Sequence, residues 1–428
     1  MTLDSVGLGA ARAARMIAAG DLTAEALMRA LLARIEARDD AVRAWAYLDR
    51  EAALAAARAA DAWTGPRGSL HGVPVGIKDV IDVRGMPTEF GSEAFRGHYP
   101  EVDAAVTARL RAAGAIIMGK LVTAEFATYR PGPTRNPADP GHTPGGSSSG
   151  SAAAVADGQV PLSLGTQTAG SVIRPAAFCG TFGFKPSHGR YPAQGVIDTA
   201  HRLDTVGTFA RDVADLALAD AVLADDDSQV ESENRPLVIG VLQDGMWAHA
   251  AMQATVERWT GEFADAGHLV FACRPPAILE DLGEAQKLIH QYECARLLGT
   301  MRRERADAVS ARFRDFIDGG LAIADEAYAM ACAVQDRARA MEEEIFGAAD
   351  LLLCASAPGP APRGLDSTGD PVFCRPWTAL GTPSLGFPAG EEGGLPLGLQ
   401  FNGRRGSDRR TLARAARLLA PPACPLTA

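Results

Sequence analysis

From residue 10 to residue 62 the chain is dense in Ala, Leu, Arg and Glu with apolar positions at helical spacing. That pattern predicts two or three helices, and Asp21 and Thr23 offer N-cap chemistry just after Gly20. At Gly72 the texture changes. Gly72-Val73-Pro74-Val75-Gly76-Ile77-Lys78 is β-branched and punctuated by glycine, which predicts a strand or a turn-strand unit. A helix over 102–113 and a short apolar strand over 115–118 follow. This alternation points to an α/β layered fold.

The segment from Pro131 to Ser151 breaks the pattern with nine prolines and glycines ahead of a run of serines, a density that leaves no regular element. Helix resumes at Ala152–Ala156. An irregular stretch of this length inside a compact domain points to function. Further on, 212–224 reads as a helix, 225–234 as a polar acidic connection and 237–242 as a strand opening a second section. That section is mainly helical from Ala251 to Phe346 and returns to strands near 351–353 and 397–401. No internal repeat is visible.

Over 428 residues, 47% are apolar and 22% charged, as in an ordinary soluble globular protein. A formal net charge of −10 argues against nucleic acid as a main partner. The seven cysteines show no CxxC pair, which fits a reduced, cytoplasmic protein better than a disulfide framework. No signal peptide is expected at the N-terminus, and no apolar run reaches the ~18 residues of a membrane span.

Three features carry candidate chemistry: Gly76-Ile77-Lys78-Asp79, Gly145-Gly146-Ser147-Ser148-Ser149-Gly150 and Gly165-Thr166-Gln167-Thr168-Ala169-Gly170-Ser171. A serine hydroxyl is a poor nucleophile until a base takes its proton, and a lysine can be that base when burial lowers its pKa. A turn of small residues before Ser171 would let successive backbone N–H groups converge on one point, as an oxyanion hole requires. Rival readings exist. Gly114 to Leu121 nearly fits a phosphate loop, but Leu121 replaces the Mg²⁺-binding hydroxyl and the intervening Ala-Ile-Ile-Met reads as a buried strand. Gly146 to Gly150 formally matches G-x-S-x-G, which would make Ser148 the nucleophile with His188 or His201 as base, yet the prolines before it cannot supply the required strand. His71 and His142 read as structural. Without HExxH or a Cys/His cluster, no metal is indicated.

The combination resembles the amidase signature family. The resemblance rests on Gly72–Asp79, Pro144–Ala152 and Gly165–Ser171, with Phe178-Cys179-Gly180, Gly183–Pro186, Leu203–Gly207, Ala210-Arg211, Gly381–Ser384 and Leu395–Gln400 downstream. It covers nearly the whole chain. It implies a large central, mostly mixed β-sheet covered by helices on both faces. It also implies one domain over 1–428: an N-terminal helical segment over about 1–65, a catalytic section over about 66–224 and a second helical and strand section over about 235–428.

Carried over by position, the resemblance makes Lys78 the base, Ser147 the relay beside a cis peptide bond and Ser171 the nucleophile. The two serines stand 24 positions apart. The N–H groups of Thr168, Ala169, Gly170 and Ser171 become the oxyanion hole. Gln167, Gly146, Ser148 and Asp79 are expected to touch substrate or brace the triad, and Arg211 to be structural. The implied reaction is hydrolysis of a linear amide to acid plus ammonia or amine. Neither cofactor nor metal is called for, the partner is a small-molecule amide, neither nucleic acid nor membrane is expected, and a homodimer is left open. The helical section from Ala251 to Phe346 is expected to cover the acyl pocket. Alternatives are a glutaminase (A-type) subunit of a tRNA-dependent amidotransferase, a carbamate or ureido-compound hydrolase, or a silent binding protein.

The chain departs from the family at four points. Gln167 stands where Asp is usual, Ala169 where Gly is usual, and Ile173 where Arg is usual, with Arg174 one place later. The stretch between Phe126 and Asn136 is shortened.

Overall fold

The computed structural model describes residues 5–420 apart from 129, 232, 244–247 and 275. Its first third holds helices α1 (Ala10–Ala19), α2 (Ala24–Val42) and α3 (Arg50–Asp61), strand β1 (Trp45–Leu48), strand β2 (Pro74–Lys78), helix α4 (Ala105–Ala112) and strand β3 (Ile116–Leu121). The middle holds α5 (Ser149–Ala156), β4 (Leu162–Gln167), α6 (Ile173–Cys179), β5 (Phe182–Lys185), β6 (Thr205–Ala210) and α7 (Val213–Ala224). The remainder is β7 (Val238–Leu242), α8 (Ala250–Asp265), β8 (Leu269–Cys273), α9 (Ala277–Glu304), α10 (Ala311–Leu321), α11 (Asp325–Ala340), α12 (Glu342–Phe346), β9 (Leu351–Ala355), α13 (Arg375–Leu380), β10 (Ser384–Glu392), β11 (Leu395–Asn402) and α14 (Asp408–Leu418).

Among the described residues eleven strands join one sheet in the order β1-β3-β2-β4-β6-β5-β10-β11-β9-β7-β8. It is mixed: β2 runs parallel to β3 and β4, and β7 parallel to β8 and β9, while the pairs from β4 through β6, β5, β10 and β11 to β9 are antiparallel. Alternation along single strands divides the core between the two faces. In β3, Ile117 joins one apolar cluster with α4, α7, α8 and α14, while Ile116 and Met118 join another with α2, α5 and α6. In β9, Leu351 and Leu353 join the first cluster, and Leu352 and Cys354 a third one with α9 and α13. Helices therefore cover both faces, as expected.

Several local expectations are corrected. The N-terminal segment contains the strand β1 as well as helices. Within the section read as helical, β8 is an edge strand with Leu269 and Phe271 exposed, so it lacks the buried alternation that marks a strand in sequence. Helix α5 begins at Ser149, three residues early, because Ser149 Oγ donates to Val122 O and Ser151 Oγ to Leu164 O, which satisfies hydroxyls that ordinarily compete with helix. Thr23, and not Asp21, caps α2 by accepting from Ala26 N–H. Gly119-Lys120 lies inside β3, and Lys120 Nζ donates to Asp79, Thr88 and the Pro87 carbonyl, which leaves no phosphate cradle. Cys424 lies outside the described residues; the other six cysteines are free thiols. Among the described residues no helix is long and apolar enough to cross a membrane.

Candidate active site

Lys78 is the last residue of β2, an interior strand between β3 and β4, and is completely buried. Its Nζ donates to Ser147 Oγ and to Thr166 Oγ1, both at 2.8 Å. Burial disfavours the ammonium and lowers the pKa to about 7, against the smaller upward pull of the Asp204 carboxylate. A lysine that is half neutral near neutral pH, touching a serine hydroxyl, is equipped to accept a proton.

Ser147 follows a cis peptide bond from Gly146, as expected. Its loop is held at both sides. The Ser147 carbonyl accepts from Ala124 N–H at 3.0 Å, and the Gly146 carbonyl accepts from Arg174 Nη2 at 2.6 Å. Ser148 exchanges hydrogen bonds with the backbone of Thr166 and is fully buried, so the G-x-S-x-G reading fails: this hydroxyl is committed to β4. His188 Nε2 contacts the His201 carbonyl instead of any serine.

Ser171 stands in the turn between β4 and α6. Every carbonyl ahead of it in that turn is tied back. Thr168 O accepts from Gln286 Nε2 at 2.9 Å, Ala169 O from Thr378 Oγ1 at 2.7 Å, and Gly170 O from Arg174 N–H at 3.0 Å. Among the described residues no acceptor takes a hydrogen bond from the N–H groups of Thr168, Ala169, Gly170 or Ser171. Nor does Ser171 Oγ hydrogen-bond a described residue, so Lys78 and Ser147 meet directly while Ser171 is brought only to the same loop system.

Gln167 explains how the turn does without the usual aspartate. Its Oε1 accepts from the N–H groups of Val172 (2.8 Å) and Ile173 (3.0 Å), and its Nε2 donates to Thr378 Oγ1 at 2.9 Å. A neutral amide at the start of α6 needs no cation, which is consistent with Ile173 in place of arginine. Asp79 belongs elsewhere: it pairs with Lys120 at 2.9 Å. Arg211 reaches the Val6 carbonyl.

Several contributors carried no assigned role in the sequence reading. Thr166 is the second acceptor for Lys78. Asp204 takes Thr168 Oγ1 at 2.5 Å and the N–H groups of Thr199 and Ala200, and burial raises its pKa to about 6. Asp204 lay inside the matched Leu203–Gly207 stretch. Gln286, in the middle of α9, had no signal at all. One cavity of about 410 Å³ is walled by Thr166, Thr168, Tyr191 and Asp204, and a second of about 630 Å³ lies between α9 and α13. Ser171 walls neither.

The Amidase family model matches residues 26–412. The chain belongs to that family. As an Amidase-family hydrolase it has full-length relatives. The A-type subunit of glutamyl-tRNA(Gln) amidotransferase from Anaeromyxobacter sp. (strain K) is 35% identical, covering 98% of this chain and 97% of that one. The protein of the same name from Chloroflexus aggregans (strain MD-66 / DSM 9485) is 36% identical over 93% of each. Among solved structures, an amidase superimposes with a TM-score of 0.90 at 33% identity, over 96% of this chain and 99% of that one. Peptide amidase from Stenotrophomonas maltophilia gives 0.82 at 28% identity over 96% of both.

Proposed function

We propose that this chain hydrolyses a carboxylic amide to acid plus ammonia or amine through an acyl-enzyme on Ser171. The observation that carries this reading is the 2.8 Å contact from the buried, near-neutral Lys78 to Ser147, beside a turn whose four N–H groups at 168–171 are unclaimed among the described residues. Neutral Lys78 takes the Ser147 proton as Ser147 takes that of Ser171, whose Oγ forms a bond to the substrate carbonyl carbon. The N–H groups of 168–171 hold the resulting oxyanion. The lysine proton then returns through Ser147 to the substrate nitrogen, the C–N bond breaks and the amine leaves. Water attacks the ester by the same relay, and the acid departs from Ser171. Residues of the chain supply every proton transfer.

A second reading is that the chain acts as a glutaminase subunit of a tRNA-dependent amidotransferase, working with partner subunits. The names of the 35–36% identical relatives weigh toward it more than toward a free-standing amidase. Gln167, Ala169 and Ile173 weigh against it. So does the Anaeromyxobacter alignment, whose 482 positions against 428 residues leave at least 54 positions of the relative without a counterpart here.

The test is product release by the purified chain, with Ser171→Ala as control, on simple amides, esters and glutamine. Amide turnover by the chain alone supports the first reading. Glutaminase activity that appears only with added amidotransferase partner subunits supports the second, and turnover undiminished in Ser171→Ala overturns both.

A further inference from the structure

The two edges of the sheet are built differently. β1 carries a register shift between Trp45 and Tyr47, an irregularity of the kind that keeps another strand from pairing. β8 has no such protection. Leu269–Cys273 holds neither a charge nor a proline, and it pairs with β7 in unbroken parallel register. Leu269 is 60% exposed and Phe271 40%, and among the described residues no other exposed large apolar side chain lies on a strand.

The backbone of β8 is only half used. Leu269 N–H donates to the Leu237 carbonyl, and the Cys273 carbonyl accepts from Gln243 N–H, both at 2.9 Å. Backbone groups alternate in direction along a strand, so residues 269, 271 and 273 face β7 while the N–H and C=O of Val270 and Ala272 face outward. Among the described residues nothing pairs with those outward groups. A row of open donors and acceptors beside exposed apolar side chains is the surface that strand addition covers.

A second copy of this chain matches that surface. Two-fold symmetry makes the added strand antiparallel. With Val270 opposite Val270, the outward groups of residues 268, 270 and 272 in one copy meet those of 272, 270 and 268 in the other. Leu269 of each copy then lies opposite Phe271 of the other, which covers all four exposed side chains in two apolar cross-strand pairs. Charge is complementary at both ends. Asp265 precedes the strand and Arg274 follows it, both are exposed, and neither has an ion-pair partner among the described residues. The geometry points to a homodimer formed by antiparallel pairing of β8 with β8 of a second copy, which joins two eleven-stranded sheets into one. β2 stands eight strands from β8 in the sheet order, up to roughly 38 Å at ~4.8 Å per strand, so each copy keeps its own candidate site and the dimer is independent of the amide chemistry.

The experiment is sedimentation velocity on the full chain. Two five-residue strands make a small interface, so dimerisation is expected in the micromolar range and is followed over about 1–200 μM. The mass should move from the 44.7 kDa of one chain toward twice that value. Phe271→Lys puts a charge into both apolar pairs and should weaken association about tenfold or more. Val270→Pro removes an N–H that β7 does not use, and should act in the same direction. Should a variant fail to fold, cross-linking decides: oxidising a mixture of Leu269→Cys and Phe271→Cys chains should give more covalent dimer than either variant alone. A wild type that stays monomeric at the highest concentration overturns the proposal. So does a dimer that both substitutions leave intact, or a mixture that cross-links no more than its separate components.

Discussion

Arg174, three residues beyond Ser171, donates through Nη2 to the carbonyl of Gly146 at 2.6 Å and to Thr368 Oγ1 at 3.0 Å. The helix that follows the candidate nucleophile is thereby fastened to the peptide that carries the candidate relay. Replacing Arg174 with Met leaves a buried carbonyl without this donor, a loss of about 1–3 kcal/mol. We expect kcat to fall ~10- to 100-fold with little change in KM, and Arg174→Lys to recover part of it. Steady-state kinetics on both variants check this; a change confined to KM would count against the positioning role.

The state of Lys78 sets the pH profile. With a native pKa of about 7, the neutral base accumulates as pH rises, so kcat/KM should climb through about pH 7 and then level. Asp204 favours the cation, so Asp204→Asn lowers that pKa further and moves the acid limb to lower pH, with a reduced plateau because Thr168 loses its anchor. The same shift affects folding. An unfolded lysine titrates at about 10.4, so the unfolded chain binds more protons between the two values, and this group makes stability rise with pH across that window. A rate that stays flat down to pH 5 contradicts the assignment.

Gln167 holds the turn through three hydrogen bonds. Gln167→Ala leaves the Val172 and Ile173 N–H groups and Thr378 Oγ1 without that partner, so we expect stability to drop by about 1–3 kcal/mol and activity to fall with it. Urea denaturation alongside kinetics reads both effects.

Local pattern made much of this architecture legible. β2 and β3 open on apolar residues and are buried at every position because interior parallel strands are covered on both faces, and the proline- and glycine-rich stretch before Ser147 could only be a loop. The Lys78–Ser147 contact was legible through the family resemblance, since nothing local connects residues 69 positions apart. What stayed hidden depends on distant partners. β8 is an exposed edge, Ser149 and Ser151 become helical only because distant carbonyls accept their hydroxyls, and Gln286 gains meaning only where α9 meets the turn before Ser171. The late arginine at 174 read as a defect in the motif; in the folded chain it is the clamp on Gly146.

The most direct test of the central claim is acyl trapping. The protein and its Ser171→Ala variant are incubated with a fluorophosphonate probe, and the label is located by mass spectrometry. The account predicts label on the Ser171 peptide of the wild type and none in the variant. Label on Ser148, or no label in the wild type, would contradict it.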